Sequence, residues 1–394
     1  MRRNHTVYMD YQATTPIDPG VLSVMDESYR TEFGNPHATE HEIGWSAAAA
    51  VAQAADDVAA FVGARGDWVT WTSGASEANA LAILGAAAGA PPGRSQILIS
   101  AAEHKSVASA AEVARDRFGV EVIVLDVDGS GCVREETLAR HLSPATLLVS
   151  IMAVNNEVGG INGTAPLSKL ARRAGALFHV DASQAAVACD LSQLSHHADL
   201  LTLSAHKAYG PKGIGALIAA PAIVSELRPL TYGGGQQTLR PGTIPVALCR
   251  GFAEALRLIA EKGDSERDRV AALRALFVAG LQQRCGEVEL IGPALELRHP
   301  GNACVRFVGV DASDMVAAMQ PRLAASTQAA CNSGSLEPSP VLIALGLDRQ
   351  AASECVRFGL GRFSDEDQIE EAIDVVSALV ADRRSNSSAR HAHG

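Results

Sequence analysis

Short apolar runs alternate with helix-length amphipathic segments through the first two thirds of the chain. A helical pattern covers residues 40–62 and ends at Gly63, and a second covers residues 77–88. The apolar runs, each bounded by turn residues, are residues 68–72, 96–100, 120–125, 146–152, 176–180 and 199–203. Nearly continuous apolar strands separated by helices are typical of a mostly parallel sheet covered on both faces. We therefore predict a large α/β domain over residues 16–261.

A different pattern begins near Lys262. A charged helical segment is followed by short apolar runs and further helical patterns, at residues 263–284, 288–291, 302–307, 314–319 and 365–381. This predicts a smaller α+β domain formed by residues 1–15 and 262–382. Residues 383–394 have no apolar periodicity, so we expect a disordered tail there.

Length and charge narrow the class of protein. A chain of 394 residues with 47% hydrophobic residues is long enough for two cores. A formal charge of −11 argues against a nucleic-acid binder or a membrane-surface binder. The N-terminal stretch has no apolar core of a secretory signal, and no apolar run reaches the roughly 18 residues of a membrane helix. We expect a cytoplasmic protein with no direct nucleic-acid or membrane partner.

The cysteines do not form the pattern of a disulfide framework or of a structural metal site. They number seven and lie at positions 132, 189, 249, 285, 304, 331 and 355. An odd number without CxxC spacing speaks against disulfides and zinc, and we expect no metal. In a reducing compartment most of them should be small buried hydrophobic residues.

Polar residues follow several predicted strands, and the carboxyl ends of strands in such sheets bind ligands. After the run 68–72 come Ser73, Gly74, Ala75, Ser76 and Glu77, where free helix amides and a hydroxyl suit a phosphate. An ordinary helix N-cap is the alternative.

Asp181 and Lys207 each come directly after an apolar run. Asp181 caps the next helix or holds a positive charge in a shielded site. Lys207 is flanked by Ser204 and His206, and near a partly buried site its pKa should fall, which favours covalent bonding to a carbonyl. A surface lysine is the alternative, although the chain has only five lysines: Lys105, Lys169, Lys207, Lys212 and Lys262.

These features together describe the needs of one cofactor. Asp181 and Lys207 are 26 positions apart, so one βαβ step places them on neighbouring strand ends. An acid for a ring nitrogen, a lysine for an aldehyde and a helix N-terminus for a phosphate are what pyridoxal phosphate requires.

Motifs along nearly the whole chain resemble those of the cysteine desulfurases, which are fold-type I pyridoxal-phosphate enzymes. They are YMDYQATTP at 8–16, FGNPH at 33–37, TSGASE at 72–77, EHKSV at 103–107, NNEVG at 155–159, HVDASQ at 179–184, SAHKAYGPKG at 204–213, GGGQQ at 233–237, RPGTIP at 240–245, ACNSGSLEPS at 330–339 and RFGLGRF at 357–363. The SLEPS segment resembles the group with a long, flexible loop around the catalytic cysteine. The resemblance implies a mostly parallel seven-stranded sheet in the large domain.

The resemblance also implies a role for each matching residue. Lys207 would bond to the cofactor, His104 would stack on its ring and transfer protons, Asp181 would pair with the ring nitrogen and Gln184 with the ring hydroxyl. Further contacts to the cofactor would come from Ala75, Ser76, Asn156, Ser204 and His206, with Thr243 reaching across a homodimer. The substrate would be bound by Asn35, Asn156 and Arg357, since the arginine fork matches a carboxylate.

Cys331 would be the nucleophile. The resemblance implies conversion of L-cysteine to L-alanine with a persulfide formed on Cys331. A sulfur-acceptor or scaffold protein would then take the sulfur for iron–sulfur cluster assembly, thiolation or DNA sulfur modification. The run of small and polar residues from 326 to 335 predicts an exposed loop around this thiol.

Three places depart from the family pattern. Thr327, Gln328 and Ala329 replace a more flexible run before the cysteine, Ala205 replaces a common glycine, and residues 233–243 are one residue shorter than usual.

Other functions remain open at this point. A selenocysteine lyase shares fold and cofactor, and a sulfur-relay hub would act mainly through partner binding. A fold-type I aminotransferase would leave the Cys331 segment without a purpose, and a nucleic-acid binder is opposed by the charge.

Overall fold

The computed structural model describes residues 2–3, 6–235, 237–327, 330–332 and 335–391, and for residues 2–3, 330–332, 335–336 and 386–391 it describes the backbone alone. The strands are β1 Arg2–Arg3, β2 Thr6–Tyr8, β3 Val69–Thr72, β4 Gln96–Ser100, β5 Glu121–Leu125, β6 Thr146–Ser150, β7 Leu177–Asp181, β8 Leu200–Ser204, β9 Gly215–Ile218, β10 Val288–Leu290, β11 Asn302–Phe307, β12 Leu323–Ala324, β13 Ser326–Thr327, β14 Ala330–Asn332, β15 Ser335–Glu337 and β16 Cys355–Gly359. The helices are α1 Pro19–Thr31, α2 Glu42–Phe61, α3 Ala75–Ala88, α4 Lys105–Phe118, α5 Glu135–His141, α6 Thr164–Arg173, α7 Pro221–Glu226, α8 Val246–Cys285, α9 Ala312–Met319, α10 Pro340–Ala344, α11 Arg349–Ser353 and α12 Glu366–His391.

Among the described residues, seven strands form the central sheet in the order β3-β9-β8-β7-β6-β4-β5. The strands from β8 to β5 pair in parallel, whereas β9 runs antiparallel to both of its neighbours. Alternate residues of β4 face opposite cores: Ile97 and Ile99 pack with α3 and α4, and Leu98 packs with α6 and α8. Because helices cover both faces, the inner strands are apolar along their length. The predicted mostly parallel α/β fold is confirmed.

The predicted strands of this sheet begin and end within two residues of those observed, but β9 is absent from the prediction. Its residues Gly215–Ile218 continue directly from the turn after Lys207. A Cβ on Gly215 would lie 2.7 Å from the Cα of Gly74, so only glycine allows β9 to pass the β3–α3 turn this closely. This pairing depends on a contact between segments far apart in sequence.

A second core lies beside the sheet. It gathers Val7 and Met9 from the N-terminal segment with apolar residues of α8, α9, α12, β11 and β16. The long helix α8 contributes to both cores, and its backbone departs from helical geometry at Gly263, where φ is +47°. A positive φ is easily adopted by glycine, so this residue lets α8 bend where the chain passes from one core to the other.

The last helix is longer than predicted. We expected a disordered tail after residue 382, but α12 continues to His391, while residues 392–394 lie outside the described residues. The Arg384 guanidinium donates to the carbonyl oxygens of Cys285, of Glu287 at 2.7 Å and of Val308 at 3.3 Å. These tertiary hydrogen bonds hold a segment that lacks apolar periodicity. None of the helices described is long and apolar enough to cross a membrane.

Candidate functional site

A cavity of about 520 Å³ opens at the carboxyl edge of the central sheet. Its walls come from the segments that follow β3, β4, β6, β7 and β8, together with the N-terminal residues Ala13 and Thr14. Eight predicted site residues line it: Ala75, Ser76, His104, Asn156, Asp181, Gln184, His206 and Lys207. Since the parallel strands end at one edge, segments separated in sequence meet there.

The β3–α3 turn forms the end of the cavity that suits an anion. Gly74 has φ of +153°, which L-residues rarely adopt, and α3 begins immediately after it at Ala75. The first backbone N–H groups of a helix lack partners within the helix and carry partial positive charge. Burial acts to raise the pKa of Glu77 in the same turn, but hydrogen bonds from Ser73 and Arg240 outweigh burial and lower it.

Lys207 follows β8 and faces the cavity. Its Nζ donates to the carbonyl oxygens of Gln12 and, at 3.0 Å, of Ala13. Burial and the charge of Arg357 lower the pKa of Lys207 to about 8, against the opposing effects of Asp181 and Asp10. Near neutral pH an appreciable fraction of this amine is therefore uncharged, which a nucleophilic lysine requires.

His206 precedes this lysine. Burial and the charges of Lys207 and Lys212 lower the pKa of His206 to about 4, so its ring is neutral. Its Nδ1 lies 3.1 Å from the hydroxyl of Thr14.

Asp181 ends β7 and is 5% exposed. Its Oδ1 accepts hydrogen bonds from the Ser183 amide at 2.9 Å and the Ser183 hydroxyl at 2.5 Å, and its Oδ2 accepts from Asn79 at 2.7 Å. These three donors fix the plane of the carboxylate at the cavity wall.

His104 caps the N-terminus of α4 with its ring. Nδ1 accepts a hydrogen bond from the Ser106 backbone amide at 3.1 Å. Burial among protein atoms and the charge of Lys207 lower the pKa of His104, although Asp181 acts in the opposite direction. The ring is exposed along the open cavity.

A second cavity of about 550 Å³ adjoins the first and shares His104 and Asn156 with it. Arg357 on β16 lines this cavity; its Nη2 pairs with Asp10 at 2.9 Å, and its Nη1 donates to the Asn156 carbonyl at 3.1 Å. Its buried Nε has no partner in the described part of the chain. The guanidinium thus keeps a donor for a further acceptor, as a residue that binds a carboxylate requires.

Besides Arg357, four predicted site residues do not line the first cavity. Ser204 lies beside it at the end of β8, where its buried Oγ has no hydrogen-bond partner among the described residues. Asn35 and Thr243 are exposed on the surface of the single chain, since they lie in loops that project from it. Cys331 lies in β14, where its backbone pairs with Leu336 of β15, but its side chain is outside the described residues. Gln328 and Ala329 also lie outside them.

Two buried carboxylic acids beside the cavities were missed by the sequence analysis. Burial and the charge of Asp181 raise the pKa of Glu103 well above its usual range, and its Oε1 accepts from the Met152 amide at 2.6 Å. Burial also raises the pKa of Glu157, whose carboxyl accepts a hydrogen bond from Ser339. Both residues lie in recognised motifs, but only their burial shows that their pKa is perturbed.

The residues around the first cavity fit pyridoxal phosphate. The free amides of α3 and the unpartnered Ser204 hydroxyl suit its phosphate, and the Asp181 carboxylate suits its ring nitrogen. Lys207 presents a primary amine whose lowered pKa favours bonding to the cofactor aldehyde.

Comparisons with known proteins also indicate a pyridoxal-phosphate enzyme. A model of the aminotransferase class-V family matches residues 7–372. The cysteine desulfurase IscS of Rickettsia bellii (strain OSU 85-389) is 37% identical over 375 residues, which cover 95% of this chain and 91% of that protein. A NifS-like protein of known structure superposes with a TM-score of 0.88 at 29% identity, covering 95% of this chain and 99% of that one. The structure of SspA in complex with cysteine has a TM-score of 0.79 at 31% identity, covering 91% and 100% of the two chains.

Proposed function

Since the chain belongs to the cysteine desulfurases, pyridoxal-phosphate-dependent enzymes of the class-V aminotransferase family, we propose that it converts L-cysteine to L-alanine and collects the sulfur on Cys331. The observation that carries this proposal is the single cavity that holds Lys207, Asp181 and His104 beside the N-terminus of α3. A second cavity, which contains Arg357, adjoins the first. The cofactor can therefore bind in the first cavity and the amino-acid substrate in the second.

The cofactor site is divided among the elements around the cavity. Ser76, Ser204, His206 and the first amides of α3 would hold the phosphate, Asp181 would pair with the ring nitrogen and Gln184 with the ring hydroxyl. Bound pyridoxal phosphate supplies an electron sink that loosens the bonds at the α-carbon of the amino acid.

The chain's own groups bind the substrate and move protons. Arg357 binds the carboxylate of L-cysteine, for which its Nε and fork geometry are suited. Lys207, with a pKa of about 8, accepts and returns a proton near neutral pH. His104 is the second group that exchanges protons in the cavity.

Cys331 takes the sulfur as a thiolate, the competent nucleophile of a cysteine. In the net reaction the Cβ–S bond of L-cysteine breaks and an S–S bond to Cys331 forms. The proton of the Cys331 thiol is returned to Cβ, which becomes the methyl group of L-alanine, and the enzyme keeps a persulfide. Atoms and electrons balance without an external oxidant or reductant.

The decisive experiment measures the mass of the Cys331 peptide after the cofactor-loaded protein meets L-cysteine, with alanine assayed in the same sample. We expect one added sulfur and the formation of alanine, both lost in Lys207→Ala. Alanine with an unmodified Cys331 in the wild type would contradict the assignment of the nucleophile, and so would a Cys331→Ser variant that still carries sulfur.

We also propose that the active form is a homodimer. The support is that Thr243 and Asn35, which the family motifs assign to the site, are exposed outside the cavity of one chain. Large apolar side chains are exposed on the same part of the chain: Phe33 is 70% exposed, Trp45 57% and Tyr232 85%. Light scattering should give twice the mass of the chain, and a Trp45→Glu change should lower it towards one copy. A wild-type mass of one chain would contradict this proposal.

The persulfide, we propose, is passed to an acceptor protein or scaffold that presents a thiol, in a reducing compartment such as the cytoplasm. The support is that the six cysteines with described side chains are all free thiols. Iron–sulfur cluster assembly, thiolation and DNA sulfur modification are the candidate destinations. Radioactive sulfur from L-cysteine should move to an added acceptor from the wild type and not from Cys331→Ser.

A further inference from the structure

A line of hydrogen bonds joins the Asp181 carboxylate to the His104 ring. It passes through Asn79 on α3 and Ser106 on α4, residues to which the family motifs assign no role. Asn79 is fully buried, and its Nδ2 donates to Oδ2 of Asp181 at 2.7 Å and to Oγ of Ser106 at 2.9 Å. Ser106 Oγ lies 2.8 Å from Nδ1 of His104. One amide therefore connects α3, α4 and the end of β7.

The direction of each hydrogen bond follows from the chemistry of the groups. An ionised carboxylate only accepts, so the nitrogen of the Asn79 amide must face Asp181. The Ser106 backbone N–H only donates, so Nδ1 of His104 carries no proton in the neutral ring. Ser106 Oγ receives a hydrogen from Asn79 and has its own hydrogen available for Nδ1. This is the one assignment that agrees with all four hydrogen bonds, and it leaves Oδ1 of Asn79 without a hydrogen-bond partner among the described residues.

We propose that Asn79 and Ser106 are positioning residues, which orient His104 relative to Asp181 and hold the proton of its neutral ring on Nε2. This inference rests on the proposed function, in which His104 exchanges protons in the cavity. With Nδ1 occupied by two donors, Nε2 is the ring nitrogen left to meet a molecule bound there.

The charges around the ring act in both directions. The charged groups that act on His104 in the described part of the chain are Asp181 at the end of β7 and Lys207 after β8. Lys207, like burial, favours the neutral ring, whereas Asp181 favours the protonated one. The two hydrogen bonds donated to Nδ1 also favour the neutral ring, because they stabilise the form in which Nδ1 carries no proton.

The test is an NMR titration of the full-length, cofactor-free protein labelled with ¹⁵N-histidine. The His104 signals are assigned by their loss in His104→Gln, and two-bond ¹H–¹⁵N spectra show which ring nitrogen carries the proton. In the wild type we expect the Nε2–H form. Ser106→Ala should raise the pKa of His104 by about half a unit to one unit, because the neutral ring loses one donor. The matched control is Ser109→Ala, one turn further along α4, which should leave the pKa of His104 unchanged.

A double-mutant cycle tests the part played by Asn79. Asn79→Leu should raise the pKa of His104 by less than Ser106→Ala does, because it weakens the Ser106 hydroxyl as a donor without removing it. In the Ser106→Ala background, Asn79→Leu should add nothing, since its effect passes through that hydroxyl.

Two outcomes would overturn the inference: an unchanged His104 titration in Ser106→Ala, or an equal effect of Asn79→Leu with and without the Ser106 hydroxyl. If Asn79→Leu does not fold, Ser106→Ala decides by itself. The readout needs neither cofactor nor turnover. A protein that shows these pKa changes but forms no alanine would contradict the proposed function and leave this inference standing.

Discussion

The two adjoining cavities are built in different ways. The first is formed at one edge of one sheet, where Asp181 accepts hydrogen bonds from Asn79 and Ser183, and Lys207 donates to the carbonyl oxygens of Gln12 and Ala13. The second lies between that edge and β16 of the small core, and its arginine is paired with Asp10, 347 positions away in sequence. The cofactor side is therefore prepared before anything binds, whereas the substrate side depends on how two cores meet. Substitutions on the two sides should therefore have different effects.

The largest effect should come from the cofactor side. Replacing Lys207 with Ala removes the amine that bonds the cofactor and moves the proton, so alanine formation should fall by roughly a thousandfold or more. Reverse-phase analysis of the product measures it. Lys169→Ala, an exposed lysine on α6, is the matched control and should retain full activity. If Lys207→Ala kept activity within tenfold of the wild type, Lys207 would not be the residue that bonds the cofactor.

The substrate side should respond in KM. Arg357→Ala removes the fork that binds the carboxylate, so we expect the KM for L-cysteine to rise by about a hundredfold, corresponding to about 2.7 kcal/mol, with a smaller change in kcat. Arg306→Ala, on the neighbouring strand β11, is the control, because that side chain pairs with Glu289 and Glu354 instead. A fall in kcat at constant KM would place Arg357 on the cofactor side.

Burial of a lysine on the cofactor side should cost stability. The pKa of Lys207 in the folded protein is about 8 against an ordinary 10.5, so the unfolded chain binds this proton more tightly between those values. The folded state is therefore penalised below pH 8, and the penalty is relieved as the pH rises to 10.5. In the cofactor-free protein, Lys207→Met should raise the free energy of unfolding by about 2 kcal/mol at pH 7 and by much less at pH 10.5. Denaturant titrations at the two pH values measure this, and a pH-independent difference would contradict it.

The smallest effect should come from the border of the two cavities. Asp10 raises the pKa of Lys207 and pairs with Arg357, so Asp10→Asn should lower the pKa of Lys207 below about 8 and raise the KM several-fold. The pH–rate profile measures the change in the pKa of Lys207. We expect the acidic limb of this profile to move to lower pH. Asp26→Asn, in an exposed pair with Arg30, should leave the profile where it is.

Sequence reasoning placed Asp181 and Lys207 correctly in one cavity because strand ends of a parallel sheet share an edge. It missed β9, because a short apolar run that follows two glycines has no distinctive periodicity. It also missed α12 beyond residue 382, where hydrogen bonds from Arg384 take the place of an apolar face. The perturbed pKa values of Glu103 and Glu157 could not be predicted either, because they arise from burial.

The amino-acid sequence by itself determined the alternation of strands and helices, the order of the polar residues that follow each strand, and through its motifs the family. Only the tertiary structure decided which groups share hydrogen bonds, such as Asn79 with Asp181, 102 positions apart, and Arg357 with Asp10. The physical reason is the range of each effect. Periodicity and turn preferences are local along the chain, whereas desolvation, charge–charge interaction and hydrogen-bond geometry depend on distances in space that folding alone sets.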